Sequence, residues 1–274
     1  MKKENRTVEY YVTMGFHKLV QAAAALIFLV CFLYAGYALW DTFLVLREPE
    51  VLKEELAEYR PESLEKLEYS FSQLMDRNPD ICAWLTIDNT GIDYPVVQGA
   101  DNFEYLNKNV LGDTAMAGSI YLDCQNSRKF TEFYSVLMGH HMQGGKMFGD
   151  VELFAKEKFF QKNRTGTLYL PDRILELETV AILSADAYNQ ILYRVDWDSA
   201  EEKRQLLDCI TETALFTGGE LLTGEDRLIA LSTCSAEYTN ARYLLVCRVV
   251  RESYATVNHH SLLRYRFSTA PSRP

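Results

Sequence analysis

The sequence predicts a mainly β domain carried behind one membrane-spanning helix. Three observations predict it: an uncharged apolar run of 22 residues, Leu19 to Trp40; helical periodicity after that run; and, from Ile81 onward, about eight short strand-like runs separated by turn residues. The 274 residues suit one such segment plus one domain large enough to bury its own core.

Leu19 to Trp40 contains one strongly polar side chain, Gln21, and carries Tyr34, Tyr37 and Trp40 toward its far end, where interfacial aromatics sit. As a helix it spans about 33 Å at roughly 1.5 Å per residue, enough for a bilayer core. The run exceeds the apolar core of a cleaved signal peptide, although Gly36 and Ala38 resemble a small-residue cleavage site. Lys2, Lys3, Arg6 and Lys18 precede it and Arg47, Lys53 and Arg60 follow. An inward N-terminus is therefore read mainly from its being the sole span, with the large domain behind it. The expected layout is a cytoplasmic N-terminus over 1–18, a transmembrane anchor over 19–40, N-terminal helices or a stalk over 41–78, a folded domain over 79–261 and a short polar tail over 262–274. That places the chain in the cell membrane as a single-pass protein with its folded domain outside.

Leu52, Leu56 and Tyr59, then Leu64, Leu67, Phe71 and Leu74 beyond Pro61, recur at helical spacing. Such helices pack on the domain or hold it off the membrane, and the sequence allows both at once. Asn78-Pro79 ends them. The strand-like runs are Ala83 to Ile87, Ile92 to Val97, Gly118 to Leu122, Tyr134 to Met138, Gly166 to Leu170, Leu175 to Ser184, Leu228 to Thr233 and Tyr243 to Val250. Helical insertions are expected at Asp101 to Asn107, Met147 to Lys162 and Ser199 to Phe216.

A net charge of -10 argues against a nucleic-acid partner, which calls for a basic patch. The six cysteines, Cys31, Cys82, Cys124, Cys209, Cys234 and Cys247, form no CxxC pair and no metal-ligand spacing, so no metal or other cofactor is expected. Most read as small buried apolar residues. Cys234 differs, because it ends the apolar run Leu228-Ile229-Ala230-Leu231-Ser232-Thr233. Gly139-His140-His141-Met142 follows another apolar run, and Arg242 heads a third. A thiol, an imidazole and a guanidinium make a set for acyl transfer: a nucleophile, a proton carrier and an oxyanion partner. By composition alone this set is weak. A buried core thiol, a hydrogen-bonded loop histidine and a surface ion pair explain the same residues.

Leu231-Ser232-Thr233-Cys234 resembles the catalytic-strand signature of sortases. Trp84 to Ile87 with Ile92 to Gln98, Asp101-Asn102 with Tyr105-Leu106, Gly118 to Asp123, and Gly139-His140-His141-Met142 with Met147-Phe148 are similar, in order, to class B members. The family usually has Asn where His141 stands. The likeness runs from about Pro79 to Val250. It implies an eight-stranded sortase-like β-barrel with helical insertions. Its implied activity is a cysteine transpeptidase that cleaves an LPXTG-like sorting signal after Thr, through a thioester on Cys234. His140 would protonate the leaving amine and Arg242 would steady the oxyanion. Ser232, Thr233, Asn102, Leu106, Tyr188, Leu192 and Tyr193 are implied signal contacts, with Asn102 and Leu106 on one side of a short helix. The implied partners are surface proteins bearing a C-terminal sorting signal, an amine of the cell-wall precursor peptide or of a pilin, and the bilayer. A hydrolytic cysteine peptidase and a catalytically inactive surface-binding module on the same barrel are the competing readings.

Overall fold

The computed structural model describes residues 8–234 and 240–255. The N-terminal segment expected over 1–18 lies partly, and the tail expected over 262–274 wholly, outside the described residues. The chain divides into two compact units after Arg47. The first holds most of helix α1 (Val8–Leu56), which is long and apolar enough to cross a membrane and has no buried residue in its most apolar window. The helix continues unbroken through the predicted boundary at Trp40, and Pro49 lies inside it.

In the second unit, the end of α1 and helix α2 (Leu67–Arg77) lie on the barrel. Leu56, Leu67, Phe71 and Leu74, the residues at helical spacing, are buried with Ile81, Trp84, Val97 and Tyr105 in one apolar cluster. The packing of these helices on the domain is thus observed.

Among the described residues nine strands follow: β1 (Ile81–Ile87), β2 (Asp93–Val97), β3 (Ile120–Leu122), β4 (Tyr134–Met138), β5 (Thr165–Tyr169), β6 (Arg173–Asp186), β7 (Ala214–Thr217), β8 (Leu228–Cys234) and β9 (Ala241–Tyr254). Eight close into a barrel in the order β5-β1-β2-β3-β4-β8-β9-β6, and β6 returns to β5. The ninth, β7, extends the β5 edge of β6 with Ala181 opposite Thr217. The predicted helix Ser199 to Phe216 therefore stops early: α4 is Ala200–Thr213, and Ala214 to Phe216 are strand. Phe216 alternates inward there and stacks near Phe160, a pairing that a helical turn would forfeit. Of the other insertions, Met147 to Lys162 holds a 3-10 stretch Gly149–Ala155 and helix α3 (Glu157–Lys162), whereas Asp101 to Asn107 holds only a 3-10 turn, Glu104–Leu106.

Two neighbouring pairs, β2–β3 and β4–β8, are parallel. Parallel neighbours need long crossovers, and here those crossovers carry the irregular segments around the site. Inside the barrel pack Leu85, Val96, Leu137, Leu168, Leu175, Ile229, Leu231 and Leu245. Alternate residues of the same strands, among them Val136, Leu183, Ala230 and Leu244, pack under Leu206 and Ile210 of α4. With both faces covered, β4 and β8 read as nearly continuous apolar runs.

Candidate active site

The ladder between β4 and β8 sets the site. Met138 pairs with Ser232, and the Gly139 N–H carries the ladder one step further by donating to the Ser232 carbonyl at 3.2 Å. His140 thus leaves β4 beside the end of β8. On the other side of β8 the antiparallel ladder to β9 ends with Cys234 opposite Arg242. Three neighbouring strands consequently bring His140, Cys234 and Arg242 to one end of the barrel.

The backbone around His140 is held on both sides. Its carbonyl accepts from the Phe148 N–H at 3.0 Å, and His141 bridges to Met147. The half-buried His140 ring places Nε2 2.8 Å from the Leu106 carbonyl. A carbonyl only accepts, so Nε2 is the protonated nitrogen of the neutral ring, which leaves Nδ1 for proton exchange. Gly118, at φ +60°, packs against this junction. A Cβ there would meet the Leu106 carbonyl and lie 3.1 Å from His140 Cδ2, so the position needs glycine on both counts. His141 turns elsewhere, with Nε2 2.8 Å from Glu152 Oε2.

Arg242 is half-buried and donates from Nη1 to the Ala241 carbonyl at 3.1 Å. Among the described residues no carboxylate forms an ion pair with it. Ser232 and Thr233 are buried; Ser232 Oγ is 2.9 Å from the Tyr193 hydroxyl, and Thr233 Oγ1 is buried with no hydrogen-bond partner among the described residues.

The candidate groove contacts divide. Tyr188 is 76% exposed and Tyr193 is half-buried. Leu192 is fully buried in the cluster under α4, and its carbonyl accepts from the Tyr134 hydroxyl at 3.0 Å. Its side chain therefore packs the segment down and presents no surface. Asn102 is likewise committed: Nδ2 donates to Asp123 Oδ2 at 2.7 Å and Oδ1 accepts from the Cys124 N–H at 2.8 Å. The predicted helical face shared by Asn102 and Leu106 does not form, because the 3-10 turn begins at Glu104. The Leu106 contribution that sequence reasoning missed is its backbone carbonyl, which no side-chain pattern reports.

The other thiols sit in different surroundings. Burial pushes the Cys82 and Cys247 thiols up to about 12, so neither supplies thiolate near neutral pH. Cys124 and Cys209 are half-buried, and Cys31 lies exposed on α1. Among the described residues, no three His, Cys, Asp or Glu side chains stand together to hold a metal ion.

A strand-end cysteine flanked in register by histidine-bearing and arginine-bearing strands is the layout that thiol-based acyl transfer needs. No protein-family model matches the chain. Sortase B of Listeria monocytogenes is 30% identical over 181 residues, covering 65% of this chain and 72% of that one. The solved sortase B from Bacillus anthracis superposes with a TM-score of 0.69 at 29% identity, over 76% of this chain and 99% of that one. A Streptococcus pyogenes class B sortase involved in pilus biogenesis superposes with a TM-score of 0.59 at 35% identity, over 65% of this chain and 96% of that one. This chain belongs to the class B sortases, which are cysteine transpeptidases.

Proposed function

We propose that the chain cleaves an LPXTG-like sorting signal after its Thr and transfers the upstream protein to an amine, with Cys234 as nucleophile, His140 as proton carrier and Arg242 as oxyanion partner. The register that brings Gly139 onto Ser232 and Cys234 opposite Arg242 is the observation that carries this reading. The Cys234 thiolate attacks the Thr carbonyl carbon and gives a tetrahedral oxyanion, which the Arg242 guanidinium stabilises with charged donors. Collapse forms the thioester, and the C-terminal fragment leaves as an amine that takes its proton from His140. An acceptor amine then attacks the thioester carbonyl, gives a proton back to His140 and releases Cys234.

The apolar stretch of α1 anchors the chain in the cell membrane as a single pass, with residues 1–18 inside and the barrel, 79–261, outside. The acceptor is an amine of a cell-wall precursor peptide or of a pilin; the 35% likeness to a sortase involved in pilus biogenesis is the observation on the pilin side. The detergent-solubilised full chain, incubated with a library of signal peptides and an amine acceptor, tests the reading. The expected result is ligated product and a thioester on Cys234. Cleavage without ligation would mean a hydrolytic peptidase. No thioester with any peptide would leave a binding module.

A further inference from the structure

The carbonyl that holds the His140 ring belongs to a short 3-10 turn, Glu104–Leu106, and that turn is tethered at three places. Asp101 Oδ1 accepts from the Phe103 N–H at 2.8 Å and the Glu104 N–H at 2.9 Å. Asn102 ties the approach to Asp123 and Cys124. The third tether is Tyr105, which is 3% exposed and adjoins Leu106 in the chain. Its hydroxyl accepts from Asn78 Nδ2 at 2.8 Å and donates to Asp80 Oδ2 at 2.9 Å.

Those two partners are themselves fixed. Asn78 caps the C-terminus of α2 and also donates from Nδ2 to the Val110 carbonyl at 2.7 Å. Asp80 accepts from Arg128 Nη2 on its other oxygen at 3.0 Å. The Tyr105 carbonyl accepts from the Ser119 N–H at 3.0 Å, beside the Gly118 that packs on the His140 ring. A continuous path of short contacts thus runs from the end of α2, through the Tyr105 hydroxyl and one peptide unit, to the carbonyl on His140 Nε2. The phenol ring already fills the cluster with Phe71 and Leu74, so packing alone gives no reason for the hydroxyl.

We propose that Tyr105 is a positioning residue for proton transfer: its hydroxyl, held by Asn78 and Asp80, fixes the Leu106 carbonyl and through it the orientation of the His140 imidazole. This rests on the reading of His140 as the proton carrier. Tyr105 is buried and its hydroxyl contacts are to Asn78 and Asp80, so its effect appears in turnover and not in signal binding.

Tyr105→Phe in the full-length chain keeps the ring and removes both hydroxyl contacts. The expected result is a fall in kcat of about tenfold, as a small misplacement of a reacting group gives, with KM for the signal peptide held within about twofold. Asp80→Ala should reproduce that loss, and Asp80→Asn, which keeps an acceptor for the hydroxyl, should largely restore kcat. A lower Tm with unchanged kcat in Tyr105→Phe would make the hydroxyl purely structural and overturn the proposal. A raised KM with kcat intact would assign the turn to substrate binding and overturn it equally. His140→Ala is run alongside: if it remains active, the reading beneath the proposal fails, whereas loss in His140→Ala with full activity in Tyr105→Phe refutes the positioning role alone.

Discussion

Cys234 and Arg242 stand opposite each other because β8 and β9 pair continuously from Leu228–Arg248 to the strand end, whereas the Tyr193 hydroxyl reaches Ser232 from an irregular segment. A ladder fixes its members collectively, since a register slip would turn every alternating side chain to the wrong face. The 187–199 segment has no such ladder, and its side chains divide residue by residue. Here Leu192 packs inward while Tyr188, on the same segment, is 76% exposed. The row of candidate residues is accordingly fixed by the sheet, and in the 187–199 segment only exposed positions such as Tyr188 exchange at little cost to the barrel, because Leu192, Val195 and Trp197 are buried in its core.

The largest effect tests whether the row is a reacting set at all. Cys234→Ala should abolish both signal cleavage and amine transfer while leaving Tm and circular dichroism unchanged. Full activity in that variant, with loss on changing Cys124, would place the nucleophile elsewhere. The next effect separates neighbours on one backbone segment. His140→Ala should remove turnover, and His141→Ala should reduce it modestly, because His141 pairs with the exposed Glu152 and such pairs are worth about 0–1 kcal/mol. Equal loss in both would dissolve the distinction between them.

A smaller effect belongs to Arg242. Lysine keeps the charge and loses the planar fork of donors. Arg242→Lys should lower kcat by on the order of 10²-fold, comparable to loss of one oxyanion donor, with less change in KM. A raised KM with kcat intact would move Arg242 from the row to the substrate wall. Unchanged kinetics would remove it from the site.

What sequence reading could reach follows the same division. The strands around the site announced themselves as apolar runs, and each run has its chemistry-bearing residue within two residues of one end. β7 escaped because Ala214 to Phe216 directly extend the helical pattern of α4 with no turn residue between. The walls were read less well. Asn102 suggested a ligand contact by its type and position, but its amide is spent on the turn at Asp123 and Cys124. The partner of the His140 ring is a main-chain carbonyl, and every residue has one of those, so only the three-dimensional path of the 98–119 crossover could reveal it.

The smallest effect concerns the wall and its dependence on pH. Ser199 opens α4 with a capping box: the Glu202 N–H donates to Ser199 Oγ at 3.2 Å, and Glu202 Oε2 accepts from the Ser199 N–H at 3.1 Å. Arg194, at the end of the groove segment, donates to Glu202 Oε1 at 2.6 Å. The Arg194 contact first, and then the Ser199 cap, lower the Glu202 carboxyl to about 2. A carboxylate whose folded pKa is depressed binds protons more readily when unfolded. Its stabilising share is therefore present above the unfolded value, about 4.3, and is lost as pH falls toward 2. Glu202 is half-buried at the surface and screened by solvent, so that share is small. Glu202→Gln should lower Tm by a few degrees at pH 7, and the gap to the unaltered chain should close between about pH 4.3 and 2. Turnover at pH 7 should keep its kcat, because the row is held by ladders that do not pass through Glu202, while KM for the signal should rise if Tyr188 and Tyr193 form the wall. A gap in Tm that persists unchanged at pH 2 would show that the glutamate acts by packing and not by charge.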